Sequence, residues 1–318
     1  MAIKKLLNIV LICCTLNAIG QTEIQHKYDI KKASEFSKFL RNSESIDKFK
    51  THFHSELTYY DLYFDTPDLL LFHSSLSLRM RKKEDGEGGY AYVFQLKSEM
   101  TFAQKARMEV EERELDFYQL KIDKKTTHLA ALLDELFKAF ENNGNKEDYL
   151  VYEKFTSTIS SWIVLKAQAP ITPFQKLHFL NPEVFSFHTI STIKPQMIGK
   201  SIRKRSHIYL SAQDAKISNA NSTQNDLEKD RPQFFIDNPD KIWILESSLD
   251  SAVFYPLFET DHTQSEIIEY EVENKISNID LGKKLIQEYE DQLDSKFGLK
   301  STIDSKYARS KNHFIPSE

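Results

Sequence analysis

The chain has 318 residues, 40% hydrophobic and 28% charged, with 8 glycines and 12% aromatics. That is globular composition with enough apolar material for a sizeable core in one or two domains. The formal net charge of −5 argues against a generalised nucleic-acid binder, so any cationic site is local and set in an acidic background.

Lys4 and Lys5 precede the apolar run Leu6 to Cys14, and Ala18-Ile19-Gly20 supplies small residues before Gln21. This is the charge and length pattern of a secretory signal at 1–20, cleaved after Gly20. The run is too short, and too polar at Asn8 and Asn17, to span a bilayer well. Both cysteines, Cys13 and Cys14, fall inside it, so the mature chain is expected to carry no disulfide or thiol chemistry. Lipid anchoring on either cysteine is less favoured, because Ile12 and Cys13 are poor residues before a modified cysteine. No later stretch is long and apolar enough for a transmembrane helix. The expected location is the periplasm or the cell exterior.

Residues 21–318 read as a single domain. "TEIQHKYDI" alternates Ile24, His26 and Tyr28 against Glu23, Gln25 and Lys27, a strand pattern, and "ASEFSKFLR" follows as a short helix. Strands are predicted at Thr58–Phe64, Ser75–Lys82, Tyr90–Lys97 and Arg107–Glu114, with "KEDGEGGY" as a turn. Close spacing of this kind favours an antiparallel sheet. "HLAALLDELFKAFENN" carries a helical apolar stripe at 129, 132, 133, 136, 137 and 140. It falls in a helical insertion around 115–201. Further strands are predicted at Ile202–Leu210, Lys241–Asp250 and Glu266–Lys275. The polar stretch around 212–232 reads as a mobile surface loop. A final helix runs from about Leu281 to Phe297, stops at Gly298, and leaves the tail "STIDSKYARSK".

Five strands share one design. Leu76, Leu78 and Met80 alternate with Arg79 and Arg81; Met108 and Val110 with Arg107, Glu109, Glu111 and Arg113. Ile202, Ile208 and Leu210 oppose Arg203 and Arg205, while Tyr270 and Val272 oppose Glu269, Glu271 and Glu273. Lys97 stands opposite Phe94 and Leu96. Ordinary amphipathicity, with the charges in water, accounts for any one of these. Taken together they concentrate Arg and Glu in short blocks, and glutamates at every second position repel one another unless cations lie near. A closed barrel relieves this, with ionic faces inward and apolar faces against outer helices. Such a lumen suits a long, metal-bound anion. Arginine forks hold phosphate oxygens, which assigns Arg79 and Arg81, and carboxylates recruit Mg2+ or Mn2+.

The motifs resemble the CYTH family, the triphosphate tunnel metalloenzymes. "EIQHK" is similar to the family's opening Glu-x-Glu-x-Lys strand, and "YFDTPDLLLFHSSLSLRMR" to its Tyr-Phe-Asp-Thr block leading to Leu-Arg-x-Arg. "FQLK", "RMEVEE", "IRKR", "ILESSLD", "EIIEYEVE" and "SKY" follow in the family's order. The resemblance implies an α+β fold, an antiparallel eight-stranded β-barrel with flanking helices that binds triphosphate compounds and divalent metal. Carried over by position, Lys27, Arg79, Arg81, Lys97, Arg107, Arg203, Arg205 and Lys306 would hold phosphates. Glu23, Glu109, Glu111, Glu269 and Glu271 would hold metal, with Glu109 and Glu111 also catalytic by orienting water. Glu246, Asp250 and Glu273 are further carboxylates of this set. One departure is Gln25, which stands where the family has its second glutamate and can act neither as a charge nor as a base.

The expected activity is metal-dependent hydrolysis of linear tripolyphosphate, polyphosphate or another triphosphate compound. A non-catalytic polyanion-binding module is the alternative, and adenylate cyclase activity a third. An outer-membrane barrel fits poorly, because the helix at 128–143 needs apolar partners. His52, His54, His73 and His128 lack the ligand sets of a zinc site. Ser74-Ser75 and Ser247-Ser248 lack a partnered histidine, Trp162 and Trp243 read as core, and no glycine-rich phosphate loop is present.

Overall fold

The computed structural model describes residues 21–84, 90–98, 106–113, 133–138, 159, 177–178, 180–217, 231–257, 264–276, 278–302, 304 and 306–314. Residues 1–20, read as a signal, residues 85–89 of the expected turn, and Trp162 lie outside the described residues. Among those residues no helix is long and apolar enough to cross a membrane.

Eight strands form the body: β1 (Gln21–Ile30), β3 (Phe49–Asp65), β4 (Leu76–Glu84), β5 (Tyr90–Ser98), β6 (Ala106–Arg113), β7 (Lys194–Ser211), β8 (Lys241–Pro256) and β9 (Ser265–Asn274). Two short strands, β2 (Ser45–Ile46) and β10 (Leu299–Thr302), pair with β3 and β1. All pairings are antiparallel, in the order β1-β6-β5-β4-β3-β7-β8-β9. Strand β1 pairs β6 through Gln21–Ile24 and β9 through Gln25–Asp29, so the path of pairing returns to where it starts. This is the antiparallel, helix-flanked α+β barrel that the motif resemblance implied.

Side-chain alternation sorts the two faces. Leu62, Phe64, Leu76, Leu78, Met80, Tyr92 and Leu96 turn outward and pack with Leu133, Leu136 and Phe137 of the helical residues 133–138. The described part of the predicted stripe, Leu133, Leu136 and Phe137, therefore covers β3, β4 and β5. On the other side α1 (Ala33–Arg41) and the long helix α6 (Ile279–Phe297) cover β1, β8 and β9. Phe36 meets Tyr270 edge-on at 4.6 Å and Phe297 at 4.9 Å between ring centroids. Leu285, Ile286, Tyr289, Leu293 and Phe297 recur at helical spacing and are buried. Asn278 caps the start of α6 by accepting from the Leu281 amide at 3.0 Å, and Gly298 ends it at φ +69°. Trp243 is buried, as expected of a core residue.

Several boundaries differ from the sequence reading. β3 starts at Phe49 rather than Thr58, because its polar first half is held by a long ladder to β7. β7 and β8 likewise extend to Lys194 and Pro256. Within the loop read at 212–232, Ala212–Ile217 is a helix, α4, following α2 (Leu70–His73) and α3 (Phe187–Ser191). It begins where Ser211 accepts the Asp214 amide at 3.1 Å. Helix α5 (Gln233–Asp237) was not anticipated. Nor is the C-terminal stretch a structureless tail: it forms β10 and helix α7 (Lys306–Phe314).

Candidate active site

The inner wall of β3, β4 and β5 begins with a pair that the register creates, Asp61 directly across from Arg81. Arg81 donates two bonds of 2.6 Å to the Asp61 carboxylate, and the Tyr59 ring lies 4.4 Å from its guanidinium. Arg79 donates to Gln95 at 2.7 Å and reaches Asp61 at 3.5 Å. Burial alone would raise the pKa of Asp61, but Arg81 and Arg79 overcome this and hold it at about 2. Asp61 was missed in the sequence. Its signal was the alternation of Tyr59, Asp61 and Tyr63 against Tyr60, Leu62 and Phe64.

Across β7, β8 and β9 the register aligns Arg203 with Asp250 and Glu269, Arg205 with Ser248 and Glu271, and His207 with Glu246 and Glu273. Arg203 donates to Asp250 at 2.7 and 2.5 Å and to Glu271 at 2.8 Å. Arg205 bonds Glu246 at 3.1 and 2.5 Å. Asp250, Glu269 and Glu271 are all buried, and one oxygen from each lies within 4.8 Å of the others. Burial works against ionisation of Asp250, yet Arg203 and Lys306 lower its pKa.

Helix α7 supplies the remaining cations. The Lys306 ammonium sits 2.8 Å from Asp250, in contact with Glu269, and 3.6 Å from Glu271. Arg309 contacts Glu269 and Asp29. Between them Tyr307 stacks on Tyr63, with centroids 5.1 Å apart and planes at 11°, in a buried cluster with Met197, Ala252, Phe254 and Ile267. Gly199 lies beside this cluster, where a Cβ would fall 2.4 Å from the Phe254 ring.

Of the expected phosphate ligands, Lys27, Arg81 and Lys97 are buried on the inner wall, with Lys27 opposite Glu271. Arg203 and Lys306 join Glu269 and Glu271 in one cluster, whereas Arg205 pairs separately with Glu246. Gln25 is buried opposite Glu273. The side chains of Glu23, Arg107, Glu109 and Glu111 lie outside the described residues. Backbone register sets Glu23 opposite Arg107, Glu109 between Gln21 and Lys97, and Glu111 opposite Gln95. Arg309 and His207 were not foreseen. His207 belongs to a group with His52 and His54, its ring 4.4 Å from that of His54.

The acidic cluster fits a hard divalent cation. Its donors are all carboxylate oxygens, their spacing is within the span of one coordination shell, and an ammonium group already lies among them.

The CYTH domain family model matches residues 21–147, the segment that holds β1 through β6. Arg203, Asp250, Glu269, Glu271 and Lys306 follow it in the chain. Among solved structures, a Bacillus halodurans protein described as a candidate adenylate cyclase is 13% identical with a TM-score of 0.44, covering 92% of this chain and 98% of its own. HpAC1 from Hippeastrum, a candidate adenylyl cyclase described as having a dominant triphosphatase activity, gives 13%, 0.44, 92% and 96%. The PH1819 protein of Pyrococcus horikoshii is 12% identical at a TM-score of 0.40, covering 92% of this chain and 99% of its own. No curated protein matches the chain.

Proposed function

We propose that the chain is a divalent-metal-dependent phosphohydrolase of the triphosphate tunnel class, acting on linear tripolyphosphate, polyphosphate or another triphosphate compound. One observation carries this reading. Opposite-signed side chains from separate strands and from α7 converge on a shared inner wall, with Arg203 and Lys306 against Asp250, Glu269 and Glu271. The CYTH match over residues 21–147 supports it.

Phosphoryl transfer asks little covalent chemistry of a protein; positioning and charge neutralisation supply most of the rate. Asp250, Glu269 and Glu271 would hold Mg2+ or Mn2+, with Glu23, Glu109 and Glu111 completing the acidic set. A metal held there would supply Lewis acidity toward the phosphate oxygens, while Asp250, Glu269 and Glu271 would fix its place. Arg79, Arg81, Lys27, Lys97, Arg107, Arg203 and Arg205 would bind the phosphate chain. Arg79 has a fork already oriented by Gln95. Glu109 or Glu111 would orient the attacking water and accept its proton. The segment at 1–20 would carry the protein out of the cytoplasm, so that this chemistry takes place in the periplasm or outside the cell.

The test is phosphate release from tripolyphosphate with Mg2+ or Mn2+. Metal-dependent release upholds the reading. Tight binding without release, in the wild type and in Gln25→Glu, leaves the second reading, a polyanion-binding module. Gln25 favours that module, because its buried amide brings no charge to a position where a carboxylate would serve the metal. A cyclic nucleotide product from ATP would instead point to a cyclase.

A further inference from the structure

The acid cluster is already neutralised from within the chain. Asp250, Glu269 and Glu271 share the Lys306 ammonium, while Arg203 bonds Asp250 and Glu271 and Arg309 contacts Glu269. With Asp29 included, four carboxylates face three cations. An ammonium among these oxygens and a divalent ion coordinated by the same oxygens cannot coexist, because both need the same lone pairs at close range and repel each other. We propose that Lys306 is the resting counter-ion of the acid cluster, and that a divalent cation enters only as Lys306 swings out. Lys306 would then be delivered to the anion that accompanies the metal. This inference rests on the reading of the cluster as a metal site and adds an order of events to it.

The way α7 is built suits such an exchange. Lys306 is the first residue of the helix, and its long side chain can change rotamer without moving the backbone. The next residue is fixed. Tyr307 is buried, stacked on Tyr63, and donates its hydroxyl to Asp65 at 2.8 Å. Asp65 is itself held by amides of Thr66 and Leu71, both at 2.8 Å, and of Phe72 at 3.0 Å. The aspartate of the Tyr-Phe-Asp-Thr block is thus a positioning residue: through Tyr307 it sets where the Lys306 side chain starts. Lys306 and Arg203 both contact Asp250 and Glu271, so an ammonium released from these oxygens stays within a side chain's reach of Arg203, where it can meet a phosphate oxygen.

Two measurements on the full chain test this. In Mn2+ titrations followed by electron paramagnetic resonance, Lys306→Met is expected to bind Mn2+ at least tenfold more tightly than the wild type. Equal or weaker binding by a folded Lys306→Met overturns the inference while leaving the metal site standing. No Mn2+ binding by either protein sinks the metal-site reading and the inference with it. Because the substitution could impair folding, the second measurement uses the wild type. Acetylation of the Lys306 amine, read by mass spectrometry, is expected to be slow without metal and several-fold faster with saturating Mn2+. An unchanged labelling rate overturns the inference.

Discussion

Tyr307 donates its hydroxyl to Asp65 across 2.8 Å, tying the last helix of the chain to the turn that follows β3. This one bond joins residues 242 positions apart and brings the cations of α7 to the carboxylates of β8 and β9. Asp65 is fully buried and accepts three backbone amides besides. Asp65→Ala would leave those donors without an acceptor and is expected to cost about 3 kcal/mol or more. Tyr307→Phe keeps the stacked ring and should cost about 1 kcal/mol. Urea denaturation of both variants checks the ranking.

Asp61 and Arg81 form a buried, bidentate pair, and removing one partner strands the other charge. Asp61→Ala is therefore expected to destabilise the chain by about 3–5 kcal/mol, and Arg81→Met is destabilising too, by less, because Arg79 still faces the buried Asp61 carboxylate. The folded-state pKa of Asp61 is about 2, below its ordinary value of 3.8. Its contribution is thus present above pH 4 and is lost as pH falls through that window toward 2. Stability measured from pH 5 to pH 2 should fall less steeply in Asp61→Asn than in the wild type, the remaining loss coming from Asp250 and Glu246.

A second pH effect comes from His207. Burial first, and then the adjacent His54, lower its pKa from 6.5 to about 4, opposed in part by Glu246. The unfolded chain therefore binds the proton more readily between these values, and stability falls as pH drops from 6.5 toward 4. The fall is at most about 1.4 kcal/mol for each pH unit crossed in that range, the limit for one proton. His207→Gln should flatten the stability profile there. An unaltered slope would show that another group titrates in the same window.

How much of this was legible in the sequence follows from how local each signal is. The alternation of Leu76, Leu78 and Met80 with Arg79 and Arg81 declared both faces of β4, because period two is a property of the strand itself. Helix α1 and the buried stripe of α6 were equally plain. The Asp61–Arg81 pair was not, since it depends on the register between two strands rather than on either sequence. Helix α7 was read as a tail because its few apolar residues form no extended stripe; it docks through Tyr307 and Phe314 together with the ion pairs of Lys306 and Arg309. The lysine inside it was picked out by the family motif, but its seat among three carboxylates required the fold. The polar start of β3 was likewise invisible without its partner β7.

Arg79 offers a clean functional probe, because Asp61 retains its two bonds to Arg81 when Arg79 is removed. Arg79→Ala should keep its fold, with a modestly lowered denaturation midpoint because buried Asp61 keeps Arg81 but loses its second arginine. Phosphate release is expected to fall by about 10²–10³-fold, the scale seen when one preorganised donor to a developing charge is lost. Steady-state kinetics on tripolyphosphate with Mn2+ would read this. A loss confined to KM would mean that Arg79 binds the anion without stabilising the reaction.

Calorimetric titration of tripolyphosphate into the full chain, with Mn2+ present, asks whether the inner wall is an anion channel at all. Saturable binding near one anion per chain is expected, strongly weakened in a folded Arg79→Ala/Arg203→Ala double variant. Absence of binding in the wild type, or equal affinity in the double variant, would contradict a shared cationic lumen.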